Sequence, residues 1–319
     1  MTTVLLSCAI VLCWGSWIPI AQAVPGIAQS TRTLYVTAGN LVFAAGALVL
    51  GGESGSLGLG WREFWLPLAG GLVWTVGSMC AFRASETIGL ARASGTWTPL
   101  NIIVAFIFGA LLFRELDGFS AARYAALGGC LVLVLAGVFL IIGSQRIGGQ
   151  DNARDEAPGD AEDVALAVPA DEASAASSSR GGLLLALGAG ILWGGYFVPA
   201  QWANVPSQLA NFPLAVGMFV AAALLARREP VPVRLPLRHG AVQFGAGLLF
   251  GVGSVALLGL VSRVGTGAGF TIAQLSLLVN AGVGIWVFKV PPPGSRAAKV
   301  ASAGILLAGV GGTVIGAMK

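Results

Sequence analysis

The chain has 319 residues, of which 56% are hydrophobic and only 10% are charged. A soluble globular domain carries about 25% charged residues, so this composition excludes a water-soluble fold and predicts an integral membrane protein. The net charge of +4 would fit an anionic partner, but the basic residues stand singly or in short clusters between apolar runs. This is the pattern of membrane-protein loops, and it argues against nucleic acid as a partner.

The apolar runs predict ten membrane-spanning helices in two sets of five. A spanning helix needs about 20 mainly apolar residues, and open strands cannot span lipid because their edge amides would lack partners. The first five predicted spans are 3–22, 33–51, 64–82, 95–113 and 121–143. The second five are 182–201, 209–226, 240–261, 266–288 and 298–317. The expected fold class is therefore all-α and integral to the membrane.

A polar segment separates the two sets of spans. Residues 144–180 hold a cluster of Asp and Glu among Ala, Ser, Gly and Pro, and no aromatic residue. Such a composition cannot form a packed core and predicts a disordered acidic linker. It joins a first five-helix unit, 1–143, to a second, 181–319. We interpret the linker as a solvated tether rather than as a binding site for a basic partner.

The two sets of spans resemble each other in sequence. Three alignments support a repeat: 14–17 on 193–196, Gln22 on Gln201, and 71–78 on 247–254, after which Gly89 falls on Gly265. Two five-helix units in one chain enter the membrane from opposite sides, because an odd number of crossings reverses the direction. The sequence therefore predicts two inverted repeats, an architecture in which a site between the halves can alternate its access.

Small residues recur four positions apart on single helices. The sets are Gly190 with Gly194, Gly247 with Gly251, and Gly304 with Ala308 and Gly312. In membranes, small residues on one helix face let two helix backbones approach closely. We therefore expect these faces to be helix–helix contacts, and we assign none of these residues to a ligand.

Several motifs together resemble the drug/metabolite transporter superfamily and, within it, the bacterial glucose/ribose uptake family. The segments that carry the resemblance are 12–16, 71–74 leading to 82–86, 89–92, 99–115 and 269–274. The resemblance covers both halves and leaves out only the acidic linker. It implies a ten-helix carrier of the cytoplasmic membrane without an ATP-binding domain, coupled to a proton or to solute exchange. Glu86 and Arg92 fall where that family also places an acid and an arginine.

Polar and aromatic residues within predicted spans are the candidate solute ligands, because such groups are costly to leave facing lipid. The candidates are Trp14, Gln22, Asn40, Trp74, Trp97, Asn101, Trp193, Tyr196, Gln201, Gln274 and Asn280. A sugar fits this set, because its apolar faces stack on indole rings while its hydroxyls bond to carboxamides, which both donate and accept. The alternative for each residue is a structural one: carboxamides also bond to neighbouring helices, and Trp also forms interfacial belts.

Titratable groups are scarce in the predicted spans. Glu86, at the end of the third span, and Glu115, at the end of the fourth, are the acids closest to a transport path. Glu86 could pair with Arg83 or Arg92 as a coupling or gate residue, whereas Glu115 fits better as part of an interfacial ion pair that fixes a loop. The chain has a single His and no hydrolase, metalloprotease or phosphate-loop motif, so neither enzyme chemistry nor a cofactor or metal is expected.

These features predict a multi-pass secondary transporter of the cell membrane that takes up a small polar solute, with a sugar as the leading class. One alternative is an exporter of amino acids, other metabolites or drugs on the same fold. Another is a non-transporting scaffold or sensor whose linker recruits a partner. A monomer is sufficient for the fused repeat, and a dimer stays open. Orientation also stays open, because the loop charges favour an external amino terminus whereas the resemblance implies cytoplasmic termini.

Overall fold

The computed structural model describes residues 2–50, 60–88, 90–155, 172–228, 233–287 and 292–317. Within these ranges the regular structure consists of α-helices. The first six are α1 (Thr2–Gln22), α2 (Gln29–Leu50), α3 (Trp61–Ile88), α4 (Leu90–Leu111), α5 (Ala121–Asp155) and α6 (Glu172–Gly195). The next six are α7 (Val198–Trp202), α8 (Ser207–Ala226), α9 (Leu237–Val264), α10 (Thr266–Gln274), α11 (Ser276–Trp286) and α12 (Arg296–Ala317).

Each predicted span contains helix, but two of them are broken. The span predicted at 182–201 divides into α6 and α7, where consecutive glycines end α6 and Pro199 opens α7. Glycine is a poor helix former, and proline is favoured in the first turn of a helix, so the local sequence suits a break at this point. The span predicted at 266–288 divides into α10 and α11 at Leu275, whose amide bonds to the carbonyl of Ile272 in a tighter turn.

Seven helices in the described part are long and apolar enough to cross a membrane. They are Thr2–Ala21, Gln29–Leu50, Trp61–Ala84, Ala121–Ser144, Arg180–Trp202, Leu209–Ala226 and Leu237–Val264. The spans predicted at 95–113 and 266–288 contain shorter apolar helices, Thr96–Leu111 and Thr266–Val279, and α12 is not among the seven. The chain is thus an all-α membrane protein, and the number ten stays a prediction.

The predicted linker is narrower than expected at both ends. Helix α5 continues to Asp155 and α6 begins at Glu172, so the outer parts of 144–180 are helical rather than disordered. Adding residues to an existing helix costs far less than nucleating a new one, which is why a polar sequence can prolong an apolar span. The remainder of the predicted linker, 156–171, lies outside the described residues.

The outer surface of the helix bundle is apolar. Val132, Leu184 and Leu306 lie well inside their helices and are 65%, 68% and 71% exposed. Such a surface suits lipid rather than water. The interior instead collects small side chains together with fully buried aromatic rings such as Phe197 and Phe270.

Glycines bring helices of the two halves into close contact, as the small-residue pattern predicted. Helix α2 packs on α9 where Gly39 meets Gly247, and α3 packs on α8 where Gly71 meets Gly217. A side chain at any of these four positions would collide with a backbone carbonyl of the facing helix. Helix α5 packs on α12 in the same manner, with Gly137 against Gly304 and Ala308.

Contacts recur at positions that the sequence repeat aligns. The ring of Trp14 on α1 lies against Gly253 of α9, and the ring of Trp193 on α6 lies against Gly77 of α3. In the same way, Gly15 packs against Val279 and the carbonyl of Ser276, while Gly194 packs against Val104 and the carbonyl of Asn101. These four contacts thus join the two halves in two equivalent pairs.

Candidate functional site

Phe250, in the middle of α9, is the centre of an aromatic group. Trp14 stacks on it with ring centroids 5.7 Å apart, Trp17 meets it edge-on at 5.2 Å, and Trp74 lies tilted at 5.1 Å. These rings come from α1, α3 and α9, and α1 lies against α9 where Trp14 contacts Gly253.

A second aromatic pair extends this group towards α4 and α6. Trp97 meets Trp193 edge-on at 5.6 Å. The indole nitrogen of Trp193 donates a hydrogen bond of 3.1 Å to the carbonyl of Trp74. This bond links the pair to the group around Phe250, and the six residues Trp14, Trp17, Trp74, Trp97, Trp193 and Phe250 are here called the aromatic cluster. Four of its six members are tryptophans predicted as solute ligands.

Three buried polar atoms without partners lie on α1, α2 and α4. Trp14 Nε1, Asn101 Oδ1 and Asn40 Oδ1 lack a hydrogen-bond partner among the described residues. Asn40, at the centre of α2, is fully buried, and its Nδ2 lies 3.5 Å from Met218 Sδ. Unpaired buried polar groups are uncommon in proteins and require an explanation. A donor and two acceptors at mid-helix positions are what a polyhydroxylated ligand would pair.

A cavity of about 330 Å³ lies near the end of α9. Its polar lining comes from Glu115, Gln201, Asn204 and Ser262, and Phe113 adds an aromatic face. Ala200, Val205, Ala210, Leu258, Val261 and Gly265 complete the wall. This volume is at the lower end of the range for small-molecule sites. We call this end of the helix bundle the cavity end.

The Glu115 carboxylate is held at the start of α10. Its Oε1 accepts hydrogen bonds from the Thr266 amide, from Thr266 Oγ1 at 2.7 Å and from Gln201 Nε2 at 3.4 Å. Its Oε2 accepts one from the Gly267 amide at 3.3 Å. A negative charge at a helix amino terminus is favourable because the first amides have no helical partner. The carboxylate thus joins the loop after α4 to α7 and α10.

The backbone before Glu115 turns in an unusual conformation. Arg114 has φ of 51°, a left-handed value that is uncommon outside glycine. The Glu115 amide then bonds to the carbonyl of Gly109 at 3.0 Å. A side chain at Gly109 would displace the Glu115 carboxylate and crowd the Gly267 amide, so glycine leaves room for the acid there. The turn and the glycine together direct the acid to α10.

The other predicted ligands are distributed unevenly. Gln201 lines the cavity, and its Oε1 lies 2.6 Å from Thr266 Oγ1. Tyr196 is buried against Phe197, and its hydroxyl has no partner among the described residues. Gln274 ends α10 and is half-buried. Four predicted side chains lie outside the described part of the structure: Gln22, Asn280, Glu86 and Arg92.

Sequence reasoning passed over two residues of this region and gave a third a different role. Phe250 aligns with Trp74 in the repeat, and that register was the signal that could have identified it. Glu115 was interpreted as part of an interfacial ion pair, whereas its described partners are Thr266, Gly267 and Gln201. Thr266 gave no signal, because its role depends on contact with a residue about 150 positions away.

A family model described as sugar transport protein matches residues 5–157 and 164–318. The glucose uptake protein GlcU of Bacillus subtilis is 24% identical over 228 residues, which cover 72% of this chain and 70% of that protein. A protein of Listeria monocytogenes, provisionally named as sugar uptake protein lmo0169, is 23% identical over 96% of this chain and 95% of its own. One solved crystal structure superposes with a TM-score of 0.67 over 99% of both chains at 17% identity, and this shows a shared fold.

Proposed function

This chain belongs to the sugar transport protein family, and from that premise we propose that it carries a sugar across the membrane. The family match confirms the resemblance to sugar uptake proteins and the expectation of a transporter rather than an enzyme. The apolar helices and the bacterial relatives identify a multi-pass protein of the bacterial cell membrane. The sugar as substrate, its binding site and the transport cycle are our proposals.

The aromatic cluster with its unpaired polar atoms is the observation that carries the proposal. The apolar face of a sugar ring stacks on indole, and sugar hydroxyls both donate and accept. Trp14 Nε1 offers a donor, and Asn101 Oδ1 and Asn40 Oδ1 offer acceptors. A buried polar atom left unpaired costs about 1–3 kcal/mol. A hydroxyl that pairs such an atom recovers this cost, which favours a polyhydroxylated solute over an apolar one.

The cavity is the proposed entrance for the sugar. Its wall presents acceptors on Glu115 and both donors and acceptors on Gln201 and Asn204. Leu258 and Val261 of the wall lie on α9, the helix that carries Phe250 at its middle. A sugar that enters at the cavity end and moves along α9 therefore arrives at the aromatic cluster.

Alternating access between two inverted halves is the proposed mechanism. The pairing of Gly39 with Gly247 recurs as Gly217 with Gly71, and this recurrence supports a two-fold relation between 1–143 and 181–319. Two such halves can rock about a site between them and open it to each side in turn. Both halves lie in one chain, so a monomer is sufficient for this cycle.

We propose Glu115, because of its place in the cavity wall, as the acid that couples transport to a proton. It lines the cavity and shares Thr266 with Gln201. A proton reaching the cavity would meet this carboxylate before the aromatic cluster. Glu86 with Arg92, the pair predicted from the sequence, stays a prediction for coupling or for the gate.

Transport by the purified protein in liposomes tests the proposal. Labelled glucose or ribose should exchange in a saturable manner, with a rate that a pH gradient alters if a proton is coupled. Trp14→Phe keeps the ring and removes the unpaired donor, and we expect about a tenfold loss of kcat/KM. Trp286→Phe is the matched control, because that side chain is 61% exposed.

The same assay separates the sugar proposal from its main rival. Amino acids and cationic drugs are tested on the same liposomes. If they move while glucose and ribose do not, the exporter is correct and the sugar assignment is wrong. Equal losses in Trp14→Phe and Trp286→Phe would reject the aromatic cluster as the binding site.

A further inference from the structure

The carbonyl of Ala21, near the end of α1, has lost its usual helical partner. A carbonyl in a helix normally accepts from the amide four residues later, and that residue is Pro25, which has no N–H. Ala21 is 1% exposed, so water does not replace the missing donor. A buried carbonyl of this kind requires a partner from elsewhere in the fold.

Two side chains from other helices supply that partner. The guanidinium of Arg32 on α2 donates to the Ala21 carbonyl and, at 3.2 Å, to the Val24 carbonyl. Gln243 Nε2 on α9 donates to the same Ala21 carbonyl at 2.8 Å, and Gln243 is fully buried. We call Ala21, Val24, Arg32 and Gln243 the clasp. It ties α1, α2 and α9 together across the two halves.

The clasp and the cavity are at opposite ends of the same helix. Gln243 and the cavity residue Val261 are 18 positions apart on α9, which is about 27 Å along a helix axis. That distance is close to the thickness of the hydrocarbon core of a bilayer. The cavity therefore lies towards one membrane face, and the clasp lies towards the other.

The alignment of the two halves identifies the residues at the positions equivalent to the clasp. Aligning Gln22 with Gln201 puts Ala21 on Ala200, and the matched glycine contacts put Arg32 on Ala210 and Gln243 on Pro67. Neither Ala210 nor Pro67 has a side-chain donor. Both Ala200 and Ala210 line the cavity. The cavity thus occupies the place where a second clasp would be.

We propose that the clasp is the gate that closes its end of the transporter, and that Arg32 and Gln243 set the balance between the two access states. This inference rests on the proposed transport function. Opening the clasp end separates α1 from α9 and removes donors from a buried carbonyl. At the cavity end, the equivalent residues Ala210 and Pro67 have no side-chain donor, so no such hydrogen bonds stabilise the closed form of that end. The state open at the cavity end is favoured for this reason.

Cysteine labelling at both ends tests the gate. The four native cysteines are replaced by alanine, and Ser30→Cys or Ser262→Cys is introduced. Ser30 is 3% exposed beside the clasp, whereas Ser262 is exposed and lines the cavity. In detergent, where both ends meet solvent, a soluble maleimide should react slowly at position 30 and quickly at position 262.

Loss of the clasp should change the two rates in opposite directions. Arg32→Ala should speed labelling at position 30 about tenfold and slow it at position 262, because a lost hydrogen bond to a charged group shifts an equilibrium by at least that factor. Gln243→Leu replaces this variant if Arg32→Ala does not fold. Arg228→Ala is the control, since Arg228 is exposed at the end of α8.

Only the reciprocal result supports a gate. Unchanged rates, faster labelling at both positions, or a change at position 30 alone would overturn the proposal and leave the clasp as a structural link. Reciprocal labelling in a protein that moves no sugar would support the gate and reject the proposed substrate, so the two failures are distinguishable.

Discussion

The indole nitrogen of Trp193 and the hydroxyl of Ser78 both donate to the carbonyl oxygen of Trp74, at 3.1 and 3.0 Å. One carbonyl in the middle of α3 therefore accepts a hydrogen bond from a side chain of its own helix and another from a side chain of α6. The contact joins the two halves of the chain at the level of the aromatic cluster. It also holds the Trp193 ring against Gly77.

Removing the Trp193 donor should lower stability by a measurable amount. Trp193→Phe keeps an aromatic ring and loses the bond to the Trp74 carbonyl, so we expect a cost of about 1 kcal/mol plus a packing loss. Thermal unfolding in detergent measures it. Trp286→Phe, at a side chain that is 61% exposed, should change the melting temperature little. Equal shifts in both variants would mean that the bond adds nothing.

The close contact between α2 and α9 predicts a contrast between two glycines of one helix. Gly39→Val would drive a side chain into the Phe244 carbonyl and should destabilise the protein by about 1–3 kcal/mol or more. Gly46 on the same helix has open space around it. Gly46→Val should therefore be tolerated. Melting temperatures of the two variants check this, and comparable losses would contradict the packing.

Glu115 should matter through its charge and its position at the start of α10. Glu115→Ala removes all four hydrogen bonds to the carboxylate, and we expect a loss of about 1.5–3 kcal/mol. Glu115→Gln keeps the shape and loses the charge, so its cost should be smaller. Asp117→Asn is the control, since Asp117 is an exposed acid two residues after Glu115.

The Glu115 variants also test proton coupling. Glu115→Gln should remove the effect of a pH gradient on sugar flux in liposomes while exchange without a gradient persists. Gradient dependence that survives in Glu115→Gln would exclude this carboxylate as the coupling group. Glu86 would then be the remaining candidate for the coupling group.

Features that depend on neighbours along the chain were predictable from the sequence. Apolar length predicted the helical spans, and the four-residue spacing of Gly304 and Ala308 predicted a helix contact on that face, which the structure shows to be with Gly137. The tryptophans of the aromatic cluster were found because indole rings stand out in apolar spans. The helix breaks at Pro199 and Leu275 were not predicted, because hydropathy measures the apolar length of a span and not the continuity of its helix.

Features that depend on distant contacts were beyond sequence reasoning. The bond from Gln243 to the Ala21 carbonyl joins residues more than 200 positions apart, and no local pattern marks it. Pro25 alone hinted that a carbonyl on α1 would need another donor. The role of Glu115 was missed because its partners are backbone amides of α10, and every residue except proline has such an amide.

The acidic segment between the halves should be dispensable for transport. The family match omits 158–163, and helices α5 and α6 extend to Asp155 and from Glu172. Replacing 157–170 with a Gly/Ser segment of equal length keeps the connection and removes the charge. We expect sugar flux in liposomes to stay within about twofold of the wild type, since a flexible segment of the same length preserves the reach.

A matched variant with the acids changed to amides separates charge from sequence. Flux lost in both variants would show that the segment takes part in transport, and intact flux with a lost cellular phenotype would favour recruitment of a partner.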